Sequence, residues 1–264
     1  MIKATRKDIV GNGIETIKNL DTLLSSKNYR GSANFAAEPT NDQRKTLEDI
    51  CPTKALFSIK ENNAMGLDSG KCITCGYCSE AVSKTIEISN KPAIPVNVKS
   101  QMIGYSVQRT LSSEKSYEQI GNELKEKIQK MFGRSLAIRQ VDAGSCNGCE
   151  IEIAALNNPI YDIERFGIHF VASPRHADVL LVTGPASRNM EIALLRTYEA
   201  TPGPKIVIAV GACACSGGIF GDTYATTGGI DKVVPVDVYI PGCPPRPEVL
   251  LQGLLLAINK MKLE

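Results

Sequence analysis

The C-terminal half of this 264-residue chain is predicted to fold as an α/β domain. Short apolar runs alternate there with stretches of helical periodicity, which is typical of a parallel sheet covered by helices on both faces. The predicted strands are 138–141, 169–172, 179–183, 206–210 and 236–240, and the predicted helices are 150–157, 187–200 and 247–260. Four cysteines in a region without long periodic helices predict a separate small domain upstream.

The chain is predicted to have four parts that differ in composition. They are a polar tail or docking segment (1–30), a small cysteine-rich domain (31–95), a linker with one helix (96–135) and the α/β domain, flavodoxin-like in architecture (136–264). The cysteine-rich part is poor in core residues, so bound metal is expected to stabilise it. The tail contains a weak helical pattern at 14–24.

A linker helix is predicted over 112–133. Ser116 and Gln119 have the spacing of a capping box, and Gly133 is placed to end the helix. Apolar residues recur at helical spacing, at Tyr117, Ile120, Leu124, Ile128 and Met131. We interpret the segment as a helix that lies along the surface.

Composition excludes several kinds of partner. Lys and Arg exceed Asp and Glu by two (30 − 28) and Trp is absent, so neither a nucleic-acid-binding nor a membrane-binding surface is predicted. The apolar stretch 249–258 is too short to span a bilayer. Nine cysteines, with no secretory signal at 1–10, are expected to bind metal in a reducing compartment rather than to form disulfides.

Cys72, Cys75 and Cys78 have the C-x2-C-x2-C spacing that wraps three corners of a [4Fe–4S] cluster. In bacterial ferredoxins the run continues to a fourth cysteine, followed by proline, that binds the other of two clusters. Val82 stands at that position here. Upstream, Cys51 is followed by proline and has the form of the end of another such run.

The other three cysteine positions of the upstream run are Asn41, Arg44 and Leu47. One set of ligands is therefore complete, at Cys51, Cys72, Cys75 and Cys78, whereas every ligand of the other cluster is missing. The pattern resembles the two-cluster ferredoxin subunits of hydrogenases and complex I, with one site lost. A four-cysteine zinc site is the alternative, but zinc sites usually use two separated C-x2-C pairs.

Four more cysteines follow predicted strands. Cys146 and Cys149 follow the strand at 138–141, Cys213 follows 206–210, and Cys243 follows 236–240. Because parallel strands end at one edge of a sheet, we expect these thiols to gather there. The helix after Asn147 would direct its positive end at an anionic cluster. Four glycines are expected to let the backbone approach the sulfurs and donate N–H groups to them, namely Gly144, Gly148, Gly211 and Gly242.

Several motifs in this part indicate a family. They are SCNGCEIE (145–152), SPRHAD (173–178), GAC (211–213), SGGIF (216–220) and YIPGCPP (239–245). From about Leu136 onward the chain resembles the small subunit of energy-converting, membrane-bound [NiFe] hydrogenases of the formate hydrogenlyase type. That subunit is related to the complex I subunit that carries the terminal [4Fe–4S] cluster. The resemblance implies that the proximal cluster is bound by Cys146, Cys149, Cys213 and Cys243.

The resemblance also implies an oxidoreductase subunit that is inactive alone and relays electrons through two [4Fe–4S] clusters. A ferredoxin-like or other iron–sulfur subunit would supply the electrons. A separate large subunit would hold the [NiFe] centre, where hydrogen is evolved or oxidised, and no catalytic residue is assigned in this chain. Through the membrane subunits of the complex, the chain is expected to be cytoplasmic and peripheral to the inner face of the cell membrane.

Alternatives remain for the acceptor and for the class of protein. The same relay could serve a complex I-like quinone reductase or a sulfur-reducing complex. The complex I subunit typically has two adjacent cysteines at the first position, so the C-x2-C form of Cys146 and Cys149 favours the hydrogenase. An alternative of another class is a zinc-stabilised assembly module.

A few residues beside these motifs carry open interpretations. Cys215 is interpreted as a small buried thiol rather than a ligand. Arg175 and His176 would either tune a cluster and contact a partner or cap a turn. Glu150, in a first helical turn, is favoured there by the helix dipole, and a proton-path role is its alternative.

Overall fold

The computed structural model describes residues 29–59, 64–105 and 115–261. All but the last two residues of the predicted tail, including the helical pattern at 14–24, lie outside the described residues. So does the start of the predicted linker helix, 112–114.

Two small antiparallel sheets form most of the N-terminal region. In chain order its elements are β1 (Ser32–Phe35), α1 (Asn41–Ile50), β2 (Leu56–Ile59), β3 (Ala64–Asp68), α2 (Tyr77–Ala81), β4 (Ile86–Ser89), a 3₁₀ turn (Lys99–Met102) and β5 (Ile103–Tyr105). Strand β1 pairs with β4, and β3 pairs with both β2 and β5. Strand β5 lies in the span that the sequence assigns to a linker, and the domain boundaries themselves stay a prediction.

Helix α1 lies where no long helix is predicted. Thr40 caps it by accepting a hydrogen bond from the Gln43 amide, and the Gln43 side chain accepts one from the Thr40 amide. This capping box is readable in the sequence. The helix supplies Leu47 to a compact core that also contains Cys51.

The C-terminal region alternates strands and helices as predicted. Its helices and strands are, in chain order, α3 (Tyr117–Phe132), β6 (Leu136–Asp142), α4 (Gly148–Ala155), β7 (Ile168–Phe170), β8 (Val179–Thr183), α5 (Arg188–Ala200), β9 (Ile206–Val210), α6 (Gly211–Ser216), β10 (Val238–Ile240) and α7 (Pro247–Met261). Three 3₁₀ turns lie between them, at Ile163–Phe166, Pro174–His176 and Ile230–Lys232. The five strands pair in parallel in the order β10-β9-β8-β6-β7. The predicted α/β fold class is confirmed.

Both faces of this sheet are buried. In β8, Val179 and Leu181 pack into one core, whereas Leu180 and Val182 pack into the other, because alternate residues of a strand point to opposite faces. Helices α3 and α7 cover the first face, and α5 packs against the second through Leu194. Within the described residues, no helix is long and apolar enough to cross a membrane.

Helix α3 has the predicted caps. Ser116 and Gln119 form the capping box, and Gly133 ends the helix with a φ of +62°. The helix is not a loose surface linker, because five of its residues are buried against α7 and the 3₁₀ turn at Ile163–Phe166.

Strand β10 begins two residues later than predicted. Asp237 precedes it, and its carboxylate accepts a hydrogen bond from the Val207 amide at 2.9 Å. The Asp237 amide also donates to the Val207 carbonyl at 2.9 Å, so Asp237 contacts β9 through both its backbone and its side chain before the paired register starts at Val238.

Candidate metal centres

Four thiols line one cavity in the N-terminal region, and we call Cys51, Cys72, Cys75 and Cys78 the N-terminal set. Cys51 follows α1, Cys72 and Cys75 lie in the loop after β3, and Cys78 lies in α2. The structure thus brings together the four cysteines that the sequence groups.

Backbone groups hydrogen-bond to sulfurs of the N-terminal set. The Ala55 amide donates to Cys51 Sγ at 3.2 Å. Backbone hydrogen bonds at Thr74 and Ser79 reach Cys72 and Cys78. Such bonds stabilise negative charge on sulfur and help to set the potential of a bound cluster.

Burial raises the pKa of two thiols of the N-terminal set, Cys72 and Cys78. It raises the pKa of Cys72 to about 11, and the nearby charges of Cys78, Cys51 and Cys75 raise it further, against a backbone hydrogen bond at Thr74 that lowers it. Without metal this thiol is protonated at neutral pH, so binding of iron must release a proton.

The second ferredoxin site is filled by packed side chains. Leu47 and Val82, at two of its cysteine positions, are buried in the same core as Cys51. Arg44, at a third, hydrogen-bonds to the Pro39 carbonyl at 3.1 Å and pairs with Glu38 at 3.3 Å. Asn41 begins α1. These contacts leave neither thiols nor space for a second cluster there.

Four of the remaining five cysteines lie beyond the carboxyl ends of three parallel strands, and we call Cys146, Cys149, Cys213 and Cys243 the sheet-edge set. They follow β6, β9 and β10, with Cys149 in the first turn of α4 and Cys213 in α6. The Ala212 amide donates to the Gly242 carbonyl at 2.8 Å and so joins two of the three loops.

The loop after β6 is shaped by the carboxylate of Asp142. It accepts hydrogen bonds from the amides of Gly144 and Ser145 at 2.9 and 2.7 Å. Ser145 Oγ then accepts from the Asn147 amide at 3.1 Å, and α4 begins after Asn147 as predicted. This chain of local bonds presents Cys146 and Cys149 at the edge of the sheet.

Two glycines let sulfurs of the sheet-edge set approach the backbone. A Cβ at Gly211 would lie 2.5 Å from Cys149 Sγ, and one at Gly218 would lie 2.9 Å from Cys213 Sγ. Real Cβ atoms do not come so close to a sulfur, so any side chain at either position would displace a thiol. Gly218 was not among the glycines that the sequence singles out.

The other predicted glycines act differently. A Cβ at Gly148 would lie 3.6 Å from Cys146 Sγ, an ordinary contact. Gly144 instead leaves room for Ser187, and Gly242 leaves room for Pro245, which lie 2.7 Å from the respective Cβ positions. For Gly144 and Gly242 the approach of the backbone to sulfur stays a prediction.

The two sets lie next to each other. Although Cys243 is partly open to solvent, desolvation by the atoms packed around it raises its pKa, and the charges of Cys146 and then of Cys75, a member of the N-terminal set, raise it further. Ser216 Oγ donates to the Gly70 carbonyl at 2.6 Å, which fastens the end of α6 to the loop that precedes Cys72. A charge on one set therefore affects the pKa of a thiol in the other set.

Two further thiols of the sheet-edge set, Cys149 and Cys213, also have raised pKa values. Burial, followed by the charges of Cys243 and Cys146, raises the pKa of Cys213 to about 11. Burial also raises the pKa of Cys149, followed by the charge of Glu150. Cys146 and Cys243 are exposed, so the site is open to a partner on one side.

In the described part of the chain, no group of three or more His, Cys, Asp or Glu side chains is arranged so that it could hold a metal ion. The four thiols around one cavity and the glycine–sulfur contacts nevertheless fit a larger group. Four cysteines are the usual ligands of a [4Fe–4S] cluster, in which each thiolate binds a different iron. The donor chemistry of both sets therefore fits a [4Fe–4S] cluster.

The residues with open interpretations are placed as follows. Cys215 is completely buried in the core under the sheet, and burial raises its pKa. Arg175 and His176 are exposed in a 3₁₀ turn that Ser173 caps by accepting a hydrogen bond from the Arg175 amide, so both of their interpretations stay open. Glu150 accepts a hydrogen bond from Thr183 Oγ1, while its second carboxylate oxygen is buried without a partner.

Comparison with known proteins places the sheet-edge set within a family match. Residues 146–257 match the family described as "NADH ubiquinone oxidoreductase, 20 Kd subunit". Formate hydrogenlyase subunit 7 of Escherichia coli is 52% identical over 139 residues, which are 53% of this chain and 54% of that protein. The probable membrane-bound hydrogenase subunit mbhJ of Pyrococcus furiosus is 52% identical over 132 residues, which are 50% of this chain and 79% of that protein.

A subunit of the NADH-quinone oxidoreductase of Citrifermentans bemidjiense is 53% identical over 113 residues, which are 43% of this chain and 66% of that protein. The chain therefore matches about half the length of the formate hydrogenlyase subunit and larger shares of the other two relatives.

Replacement of Gly211 by alanine is predicted to abolish a cluster at the sheet-edge set, because the new Cβ would lie 2.5 Å from Cys149 Sγ. Iron per chain should fall from about eight to about four. Gly133→Ala is the matched control, since Gly133 also has a positive φ but no atom within 4 Å of a Cβ. Equal iron content in both variants would contradict the prediction.

Cys213→Ala and Cys215→Ala are predicted to differ sharply. The first removes a thiol from the sheet-edge set, whereas the second removes one that is buried in the core. Low-temperature EPR after anaerobic reconstitution should show one cluster signal missing in Cys213→Ala and both present in Cys215→Ala. The reverse pattern would move the ligand by two residues along α6.

Proposed function

This chain belongs to the family of the NADH ubiquinone oxidoreductase 20 Kd subunit, and on that premise we propose that it relays electrons through two [4Fe–4S] clusters in a [NiFe] hydrogenase complex. The resemblance predicted from the motifs is confirmed at the level of the family, and the relatives are named as subunits of oxidoreductase complexes. The observation that carries the proposal is the adjacency of two four-thiol sets, with Cys75 in electrostatic range of Cys243.

A [4Fe–4S] cluster, when bound, accepts or releases one electron. The residues of this chain would hold it and adjust its charge. The Ala55 amide donates to Cys51 Sγ and favours negative charge on that sulfur. At the sheet edge, Gly211 leaves room for Cys149 Sγ against the backbone.

The relay would run between the two sets. The hydrogen bond from Ser216 to Gly70 keeps the loop before Cys72 against the loop after Cys213. We assign entry of electrons to the N-terminal set, supplied by a ferredoxin-like or other iron–sulfur subunit. Exit is assigned to the sheet-edge set, where Cys146 and Cys243 are exposed to a large subunit that holds the [NiFe] centre.

Two clusters, and not three, are proposed for the chain. The positions that would bind a further ferredoxin cluster are occupied by Leu47 and Val82 in a packed core. The two four-thiol sets use every cysteine except the buried Cys215, so this chain has no thiols left for nickel.

The acceptor distinguishes this proposal from a second candidate. The 53% identity to a subunit of NADH-quinone oxidoreductase favours the same relay in a quinone-reducing complex, whereas the C-x2-C spacing of Cys146 and Cys149 supports the hydrogenase. Attachment to the inner face of the membrane through partner subunits is common to both proposals. A tagged chain isolated with its native partners decides between them: nickel in a co-purifying large subunit supports the hydrogenase, and a nickel-free complex that reduces quinone contradicts it.

Cys51→Ser is predicted to damage only the cluster of the N-terminal set, although Cys51 is distant in sequence from Cys72. The wild-type chain should hold about eight irons and the variant about four. Iron analysis and EPR of both proteins measure this, with the sheet-edge cluster as internal control. An undisturbed N-terminal signal in the variant, or about twelve irons in the wild type, would contradict the ligand assignment.

The purified chain without partners is predicted to be brown and to evolve no hydrogen. Iron–sulfur clusters absorb visible light, whereas the zinc-stabilised module that the sequence leaves as an alternative would be colourless. Anaerobic absorbance spectra and a hydrogen assay with a strong reductant test both statements. A colourless protein loaded with zinc, or sustained hydrogen evolution by the chain alone, would refute the relay.

A further inference from the structure

Tyr29 and Arg30, which Gly31 separates from β1, contact the loops of both cysteine sets. Arg30 Nη1 donates a hydrogen bond to the carbonyl oxygen of Cys75 at 2.6 Å. The Tyr29 ring lies under the guanidinium of Arg246 at 4.7 Å, and Arg246 is three residues after Cys243. We call these two residues the Tyr29–Arg30 bridge.

Gly31, the residue after the bridge, connects it to a sheet of the N-terminal region. The Gly31 amide donates to the Ser89 carbonyl at 2.8 Å, and the chain then enters β1, which pairs with β4. Tyr29 and Arg30 are therefore held between a sheet of the N-terminal region and the loop after β10. They contact the carbonyl of Cys75 on one side and Arg246, three residues after Cys243, on the other.

The guanidinium of Arg30 packs on the turn that presents Cys75. A Cβ at Gly76 would lie 3.3 Å from Arg30 Nη1, and Gly76 has a φ of +90°. Glu80 Oε1 would lie 3.9 Å from the same Cβ position, so one carboxylate opposes the charge of Arg30 at this turn. The Arg30 guanidinium lies closer to Gly76 than the Glu80 carboxylate does, and it is hydrogen-bonded to the loop that contains Cys75.

A positive charge beside a cluster favours its reduced, more negative state and so raises its reduction potential. We propose that Arg30 is a positioning residue of the relay, which fixes the Cys75 turn against the Cys243 loop and raises the potential of the cluster at the N-terminal set. The inference rests on the proposed function, because it presupposes a cluster at each set. Since Arg30 is exposed, its effect is screened by salt and is greatest at low ionic strength.

The test is an anaerobic redox titration of the full chain, followed by EPR at low and high ionic strength. Arg30→Gln removes the charge, Arg30→Lys keeps it on a side chain that cannot reproduce the guanidinium geometry, and Arg196→Gln removes an exposed arginine from α5 as the matched control. The N-terminal potential should fall in Arg30→Gln, fall less in Arg30→Lys and stay unchanged in Arg196→Gln. The fall should be smaller in high salt, and the sheet-edge potential should move less.

An N-terminal potential in Arg30→Gln equal to that of the wild type would overturn the inference, as would an equal shift in Arg196→Gln. If Arg30→Gln fails to retain the N-terminal cluster, the potential of this cluster in Arg30→Lys is the deciding measurement. A potential below that of the wild type supports the role of Arg30, and an unchanged potential contradicts it. Iron content separates this inference from the proposed function. A wild-type chain without two clusters refutes the relay, whereas two clusters with unshifted potentials refute only the role of Arg30.

Discussion

Parallel strands that end at one edge of a sheet place distant parts of a chain side by side. In this protein β6, β9 and β10 end where the loops with Cys146, Cys149, Cys213 and Cys243 meet, although β8 separates β6 from β9 in the sheet. The hydrogen bond between Ala212 and Gly242 joins two of these loops. The loops come so close that Gly211 has no room for a side chain beside Cys149 Sγ.

The N-terminal region depends on the same edge. Its core is small and contains Cys51, so the thiol is at once a packing residue and a candidate ligand. Ser216, at the end of α6, hydrogen-bonds to Gly70 just before Cys72, and Arg246 packs on Tyr29. The sheet thus supplies one set of thiols and also the surface on which the other set is held.

Local patterns in the sequence were sufficient for much of the fold. Apolar periodicity, capping boxes and cysteine spacing are patterns formed by residues that are close in sequence. From these patterns we could predict the α/β sheet, the caps of α3 and the grouping of the N-terminal thiols. The start of helix α1 could also have been predicted, from the capping box of Thr40 and Gln43. However, Leu47 is its one buried residue, so the apolar periodicity of the helix is weak.

Contacts between distant segments were not predictable in this way. The hydrogen bond from Ser216 to Gly70 and the packing of Arg246 on Tyr29 join residues that no local pattern relates. The side chains packed beside Gly144 and Gly242 were not predictable for the same reason. A glycine next to a cysteine in sequence signals a close approach, but only the tertiary structure shows whether the approaching atom is a sulfur, Ser187 or Pro245.

If two clusters lie side by side in one chain, as we propose, the EPR spectrum of the fully reduced protein tests this arrangement most directly. Two neighbouring paramagnets interact, so the account predicts that the doubly reduced spectrum is broadened or split relative to the sum of the two singly reduced spectra. Cys51→Ser, which should retain only the sheet-edge cluster, should lack this interaction. A doubly reduced spectrum equal to the sum of two independent signals, or a single signal in the wild type, would contradict the account.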